Sequence, residues 1–166
     1  MLERIGNCRI LEEIASGGAD GPRALALAVL AEVQLVCGRP EGAADALAAA
    51  LALPVHDPDV HLVGGLVEQH RANWRLMDDH YDEAARRFVE RGTHVRLVRV
   101  APANLRWRMA RQLSTADPAR ALGYVEEALE AGIVGRGAFP ERKALCDKAR
   151  IQQRLGDWAA AARTYG

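Results

Sequence analysis

The middle of the sequence is rich in side chains that bind anions. Between Ala84 and Ala116 there are eight arginines against one acid, Glu90, a balance of +7. Because the formal net charge of the whole chain is zero, the flanking segments are acidic. Arginine presents a planar fork of donors to carboxylates and phosphates, so this composition predicts a surface for acidic groups. The eight arginines are Arg86, Arg87, Arg91, Arg96, Arg99, Arg106, Arg108 and Arg111.

The densest group of metal-ligand residue types is HDPDVH, from His56 to His61. Asp57 and Pro58 have an ordinary structural use there, as the cap and the first residue of a helix. A zinc site would need ligands one helical turn apart or a paired CxxC, and the sequence has neither. We therefore predict no metal and no cofactor.

The three cysteines, Cys8, Cys37 and Cys146, are odd in number and widely spaced. This spacing argues against a disulfide framework and favours buried, reduced thiols. Serine occurs only as Ser16 and Ser114, both at predicted helix ends, and no GxSxG motif is present. These observations predict that the protein is not an enzyme.

Length and hydropathy narrow the class of protein. The chain of 166 residues is long enough for one domain or for several stacked units that share a core. No run of about 18 apolar residues is free of charge, and no apolar segment resembling a signal peptide opens the sequence. The expectation is a cytoplasmic protein.

Apolar residues recur at helical spacing along the whole chain. We predict a leading helix at residues 2–15, and then pairs of helices separated by short turns. The first pair flanks a turn at residues 38–40. The others are residues 58–77 with 81–91, 102–113 with 117–131, and 140–155 with 157–165.

The second helices of these pairs form an internal repeat. Its copies are GRPEGAADAL from Gly38, DHYDEAARRF from Asp79, ADPARALGYV from Ala116 and GDWAAAARTY from Gly156. An alanine occupies one equivalent position in each copy, where two helices would approach closely, and a bulky residue follows four places later. Such repeats predict a solenoid in which each pair buries its apolar stripe against its neighbours. The alanines are Ala43, Ala84, Ala121 and Ala161, and the bulky residues are Leu47, Phe88, Val125 and Tyr165.

DHYDEAARRF and LGDWAAAARTY resemble the turn and second-helix signature of the tetratricopeptide repeat family. The period is nearer 39 than the family's 34 residues, and the first helices lack the family's aromatic-Leu-Gly pattern. The leading helix and the four pairs make about nine helices, and the resemblance implies that they form an all-α, right-handed α-solenoid of antiparallel helix pairs. We assign residues 1–21 to a leading helix with a glycine hinge and residues 22–166 to a repeat domain of four pairs, the last one truncated.

The resemblance also implies a groove lined by the first helices of the pairs, where a partner peptide or domain would bind. Six arginine and tryptophan residues are the candidates for that groove, and an acidic peptide or a C-terminal carboxylate would suit them. Nucleic acid is the competing anion, although the domain is neutral and has few aromatic residues. A third interpretation is that these charges pair with acids of adjacent helices or of another subunit. The candidates are Arg71, Trp74, Arg75, Arg106, Trp107 and Arg108.

The N-terminal string ILEEIASGGADG is similar to the first strand and glycine loop of bacterial Ser/Thr protein kinases, which cover the ATP phosphates. The Val-Ala-x-Lys, His-Arg-Asp and Asp-Phe-Gly motifs that catalysis requires are absent from the sequence. We interpret the string as the end of the leading helix, with Gly17 or Gly18 at positive φ.

The sequence as a whole predicts a non-enzymatic scaffold for protein interactions, as a module of a bacterial signalling or regulatory protein. A nucleic-acid-binding or transcription-regulatory helical domain is the alternative. Because no polar capping helix follows the short last helix, we also expect either that the chain is an excised fragment of a larger protein or that this end is covered by another molecule, such as a second copy in a homodimer.

Overall fold

The computed structural model describes residues 19–54, 57–91, 102–136 and 139–166. These residues form eight α-helices and contain no β-strand, so the all-α prediction is confirmed for them. The predicted helix at residues 2–15 and the predicted φ of Gly17 or Gly18 lie outside the described residues. The helices are α1 (Asp20–Val36), α2 (Pro40–Leu51), α3 (Pro58–His70), α4 (Trp74–Arg91), α5 (Ala103–Leu113), α6 (Pro118–Ala131), α7 (Phe139–Arg154) and α8 (Trp158–Tyr165).

The chain divides into two compact units, and the division falls within α4. The first unit ends at Ala84 and the second begins at Ala85. Among the described residues, no helix combines the length and the apolar character that crossing a bilayer requires.

Several helices begin where the sequence places an aspartate cap. The carboxylate of Asp57 accepts a hydrogen bond from the backbone N–H of Asp59 at 3.0 Å. Asp117 and Asp157 likewise accept from backbone N–H groups three residues later, at 3.1 and 2.9 Å. These bonds satisfy N–H groups that have no partner within the helix, and they confirm the predicted starts of α3, α6 and α8.

Three of the turns that join paired helices share one backbone geometry. Gly38, Ala72 and Gly156 have positive φ, at 71°, 54° and 79°. In each turn that residue's N–H donates to the carbonyl three residues earlier, at 3.0 to 3.1 Å, and the next N–H donates to the carbonyl five residues earlier, at 2.9 to 3.0 Å. This is the Schellman motif, which closes the carbonyl end of a helix and reverses the chain.

The predicted boundary of the second helix pair is wrong. We expected a helix through about Met77 and a partner at residues 81–91, but α3 ends at His70 and α4 begins at Trp74. The turn has no glycine or proline to mark it, because Ala72 takes the left-handed position that glycine holds in the two matching turns.

The repeat positions predicted in that pair therefore lie two helical turns too far toward the C-terminus. Met77 and Tyr81 hold the positions relative to the turn that Ala43 and Leu47 hold after Gly38, and both are buried. Ala84 and Phe88, which the sequence alignment placed there, are also buried but lie further along α4.

Small residues allow the helices of the first unit to approach closely. In this unit α1 packs on α2 and α3, and Ala24, Ala28, Ala31 and Ala43 of α1 and α2 have no exposed surface. A Cβ at Gly65 would lie 2.4 Å from the ring of Tyr81, and one at Gly64 would lie 2.6 Å from the ring of His80. Glycine at these two positions is therefore what brings α3 and the first half of α4 into contact.

In the second unit the order of packing follows the order of the chain. Helix α5 packs on α6, α6 on α7, and α7 on α8. The buried Asn104 side chain ties the loop after α6 to α5, because its Nδ2 donates to the carbonyl of Val134 at 2.7 Å while the N–H of Val134 donates to its Oδ1 at 3.0 Å. The core cluster is Trp107, Ala110, Leu113, Ala121, Val125, Ala128, Ala144 and Ile151.

The residues predicted at the small and bulky repeat positions are buried with one exception, although Ala84 and Phe88 do not hold the equivalent positions of their copy. All four predicted alanines are buried, and so are Leu47, Phe88 and Val125. Tyr165 differs: it is 51% exposed, because α8 packs on α7 through Ala161 and leaves the ring outside that contact.

The prediction of buried thiols is wrong for the two cysteines that the structure describes. Cys37 and Cys146 are free thiols, as expected, but both are exposed. Cys37 is the C-cap of α1, and the turn that follows leaves it in solvent. Cys146 lies on the exposed side of α7.

The strained turn residue gives a direct test of the shared turn geometry. An L-residue with a Cβ pays a steric cost in the left-handed region, so Ala72→Gly is expected to raise the free energy of unfolding by about 1 kcal/mol. Gly38→Ala is the matched opposite change, and it should lower that energy by about 1 kcal/mol because alanine is strained at positive φ. A Cβ at Gly38 would meet nothing within 4 Å, so no steric clash adds to that strain. Urea unfolding followed by circular dichroism measures both. A destabilising Ala72→Gly would contradict the geometry of this turn.

Candidate functional site

Trp107 lies in the core of the second unit. Its side chain is 3% exposed and packs among α5, α6 and α7. A buried indole needs an acceptor for its N–H, and Nε1 of Trp107 donates to Oδ2 of Asp147 on α7 at 3.0 Å. The residue predicted to line a groove is therefore a core residue whose polar edge reaches a carboxylate.

Three cationic side chains surround the Trp107 ring. The guanidinium carbon of Arg108 lies 4.3 Å from the ring centroid, that of Arg111 lies 5.9 Å away, and Nζ of Lys143 also lies 5.9 Å away. These separations fall within or at the limit of cation–π attraction. The ring thus concentrates positive charge at this part of the second unit.

The other two predicted residues of α5 are partly or fully buried. Nε of Arg106 lies 3.2 Å from Oε2 of Glu127 on α6. Arg108 is 3% exposed and lies against Trp107. The pairing of arginines with acids of adjacent helices, which was the third interpretation of the sequence, is confirmed for Arg106.

The remaining three predicted residues belong to the first unit. Arg71 is the C-cap of α3, and its Nη1 donates to Oε1 of the buried Glu68 at 3.1 Å. Trp74 and Arg75 are the first two residues of α4, so the three do not share a helix as we expected. This difference has the same cause as the misplaced boundary, because the turn lies between Arg71 and Trp74.

A polar cleft of about 210 Å³ opens between α5 and α7 in the second unit. Three of its six lining residues are arginines, and one is an acid. The cleft contains none of the six predicted residues, although its Asp147 is the hydrogen-bond partner of Trp107. The lining residues are Arg111, Ser114, Asp147, Arg150, Ile151 and Arg154.

Asp147 organises one side of the cleft. Its Oδ2 lies 3.8 Å from Nε of Arg111, and its Oδ1 lies 3.4 Å from Nη1 of Arg150. Because the Trp107 N–H also binds this carboxylate, Asp147 connects the buried ring to two arginines of the cleft. Its side chain is only 14% exposed, which strengthens these interactions relative to bulk water.

Ser114 organises the other side. Its hydroxyl donates to the carbonyl of Arg111 at 2.8 Å and accepts from Nη1 of Arg154 at 2.8 Å. Arg154 is thus anchored to a neutral group, and among the described residues no carboxylate forms an ion pair with it. The cleft carries three positive charges and one negative charge, an arrangement that attracts anions.

The sequence carries a signal for this cleft that the predicted site did not include. Asp147, Arg150 and Arg154 recur at three- and four-residue spacing and therefore share one face of α7. The arginine-rich segment from Ala84 to Ala116 includes Arg111, whereas Arg150 and Arg154 lie outside it.

A second polar contact joins α3 and α4 in the first unit. Nδ1 of His61 and Nδ1 of His80 are 3.3 Å apart, and the ring centroids are 5.5 Å apart. One of these nitrogens must donate and the other accept, so at least one ring is neutral. Burial lowers the pKa of His80, against the opposing effect of Glu68 and Asp79.

This pair accounts for the described part of the HDPDVH segment. Asp57 caps α3, Asp59 is buried, and His61 contacts His80. In residues 19–54, 57–91, 102–136 and 139–166, no group of three or more His, Cys, Asp or Glu side chains is arranged to hold a metal ion.

Comparison with known proteins adds no assignment. No protein-family model matches the chain, and no curated protein is significantly similar to it.

The His61–His80 contact predicts how stability changes with pH. Because the pKa of His80 is lower in the folded protein than its unfolded value of 6.5, the unfolded state takes up the proton more readily. The contribution is fully present above pH 6.5 and is lost as pH falls below it. His80→Gln should therefore reduce the loss of unfolding free energy between pH 7.5 and pH 5, measured by urea unfolding.

The matched control is His70→Gln, which removes an exposed histidine of the same unit and leaves the His80 contribution intact. Burial and Asp59 raise the pKa of Glu32, which acts in the opposite direction, but Glu32 is present in all three proteins and cancels in the comparison. An unchanged pH slope in His80→Gln would contradict this account.

Trp107→Phe tests the bond to Asp147. Phenylalanine keeps an aromatic ring in the core but removes the N–H donor, so we expect a loss of about 2 kcal/mol in unfolding free energy. Trp158→Phe is the control, since Trp158 is 67% exposed and its replacement should change stability by less than about 0.5 kcal/mol. Equal effects of the two substitutions in urea unfolding would show that the bond contributes nothing.

Proposed function

We propose that the chain is a non-enzymatic interaction module that binds an acidic segment of a partner protein through the cleft between α5 and α7. The observation that supports this most strongly is the cleft itself, in which three arginines line a cavity together with one carboxylate. The proposal places the module in a bacterial signalling or regulatory protein of the cytoplasm.

The helix pairs support a repeat architecture of the tetratricopeptide kind. Short turns join α1 to α2, α3 to α4 and α7 to α8, and these three turns share the Schellman geometry. The same turn thus recurs within three helix pairs, which supports a repeated helix–turn–helix unit. We propose that the pairs form a right-handed α-solenoid.

The proposed contact surface differs from the groove expected from the sequence. Trp107 is buried and supports the cleft through its hydrogen bond to Asp147, whereas Arg106 is paired with Glu127 and does not line the cleft. Arg150 and Arg154 are exposed and lie at its opening, where a partner's carboxylates would reach them. Arginine binds carboxylates through two parallel hydrogen bonds, which gives direction as well as attraction.

Peptide binding tests the proposal. A fluorescein-labelled peptide with three glutamates in a Gly-Ser background is titrated with the protein, and anisotropy is recorded at low and physiological salt. We expect saturable binding that weakens with salt. Arg150→Glu together with Arg154→Glu should weaken binding by about tenfold or more, because charge is reversed at two contacts.

The control is Arg142→Glu, which reverses an exposed charge on the same helix outside the cleft. It should leave the affinity within about twofold of wild type. Absence of peptide binding at low salt, or equal losses in the control, would overturn the proposal. If a single-stranded oligonucleotide binds more tightly than the acidic peptide, and this binding depends on Arg150 and Arg154, the nucleic-acid alternative is favoured instead.

A further inference from the structure

We propose that the cleft between α5 and α7 is a site for a phosphomonoester dianion, such as a phosphorylated serine or threonine side chain of the partner. This inference rests on the proposed function, because it specifies the group that the same cleft receives. The net charge of the lining supports it. Arg111, Arg150 and Arg154 against Asp147 leave two positive charges in the lining. A phosphomonoester carries about −1.5 to −2 at neutral pH, whereas a carboxylate carries only −1.

The arginines of the cleft come from two helices. Arg111 and Arg150 contact Asp147 from α5 and α7, and Arg154 is held by Ser114 at the end of α5. An arginine has five N–H donors, and the hydrogen bond from Arg154 to Ser114 uses one of them. Guanidinium groups from two helices can thus approach one group with several acceptor oxygens, and phosphate presents three of them.

The guanidinium groups of Arg150 and Arg154 are oriented by partners within the cleft. Long arginine side chains lose conformational entropy when they bind, and this loss weakens sites built from mobile arginines. Here Asp147 and Ser114 hold the guanidinium groups before a ligand arrives. Asp147 is itself fixed by the indole N–H of the buried Trp107, so the orientation extends back into the core.

The volume of the cleft limits the size of the group that it can hold. The cleft of about 210 Å³ is smaller than the roughly 300–1,000 Å³ typical of sites for drug-sized ligands. It is suited to one charged group of a larger molecule, while the rest of that molecule stays outside.

The test compares three labelled peptides of one Gly-Ser background that carry phosphoserine, glutamate or serine at the central position. We expect the phosphoserine peptide to bind about tenfold tighter than the glutamate peptide at pH 7.5, and the serine peptide to bind weakest. The advantage of phosphoserine should shrink below about pH 6, where the phosphate takes up its second proton. The affinity of the glutamate peptide should not follow that change.

Variants locate the site. Arg150→Gln and Arg154→Gln, both at exposed positions, should each weaken phosphoserine binding by about tenfold, and Arg142→Gln should not. Circular dichroism of each variant checks that the helices are retained. Losses of equal size in Arg142→Gln would overturn the assignment to this cleft.

The outcomes separate the inference from the proposed function. If the glutamate and phosphoserine peptides bind equally, the phosphate inference is wrong and the acidic-peptide function stands. If neither binds, both are wrong. If inorganic phosphate or free O-phosphoserine competes with an affinity equal to that of the peptide, the phosphate chemistry is supported. The ligand would then be a small phosphate compound and not a side chain of a partner protein. Tighter, Arg154-dependent binding of an oligonucleotide would overturn the inference in favour of nucleic acid.

Discussion

The hydrogen bond from Trp107 to Asp147 is the interaction on which the second unit's candidate site depends. A buried indole must find an acceptor, and a carboxylate near the core must find donors; each of these two side chains satisfies the other. The bond joins α5 to α7 and fixes the carboxylate that contacts Arg111 and Arg150. A stability requirement of the core thereby sets the positions of charged groups at the surface.

This coupling explains how an electrically neutral chain can present a local site for anions. Many charges of the second unit are paired, such as Arg106 with Glu127 and Lys148 with Glu126. Pairs of this kind contribute little net field, and at the surface they contribute little to stability. The cleft differs because its three positive charges outnumber its single acid.

The helical content was predictable from the sequence because it depends on local signals. Aspartate caps, prolines in first turns and the glycines at residues 38 and 156 mark helix boundaries directly, and the structure agrees with them. The boundary between α3 and α4 was not predictable by these signals. There an alanine adopts positive φ, and the apparent repeat signature DHYDEAARRF lies inside one continuous helix.

The candidate site was less predictable, for a different physical reason. Arginine is densest in residues 84–116, but whether an arginine is buried, paired or exposed depends on contacts between helices distant in sequence. Trp107 meets Asp147 across 40 positions, and Ser114 meets Arg154 across the same separation. The face shared by Asp147, Arg150 and Arg154 was visible in the sequence, yet only the packing of α7 against its neighbours gives that face a cavity.

The most direct test of the central claim is the indole N–H resonance of Trp107 during a titration with the phosphoserine peptide. The chain has three tryptophans, so a ¹⁵N spectrum resolves few indole signals, and Trp107→Phe assigns the relevant one. If the cleft receives the phosphate, the redistribution of charge around Asp147 shifts this resonance saturably, with the Kd measured by anisotropy, and to a greater extent than those of Trp74 and Trp158. Saturation of the peptide with a stationary Trp107 resonance would contradict the account.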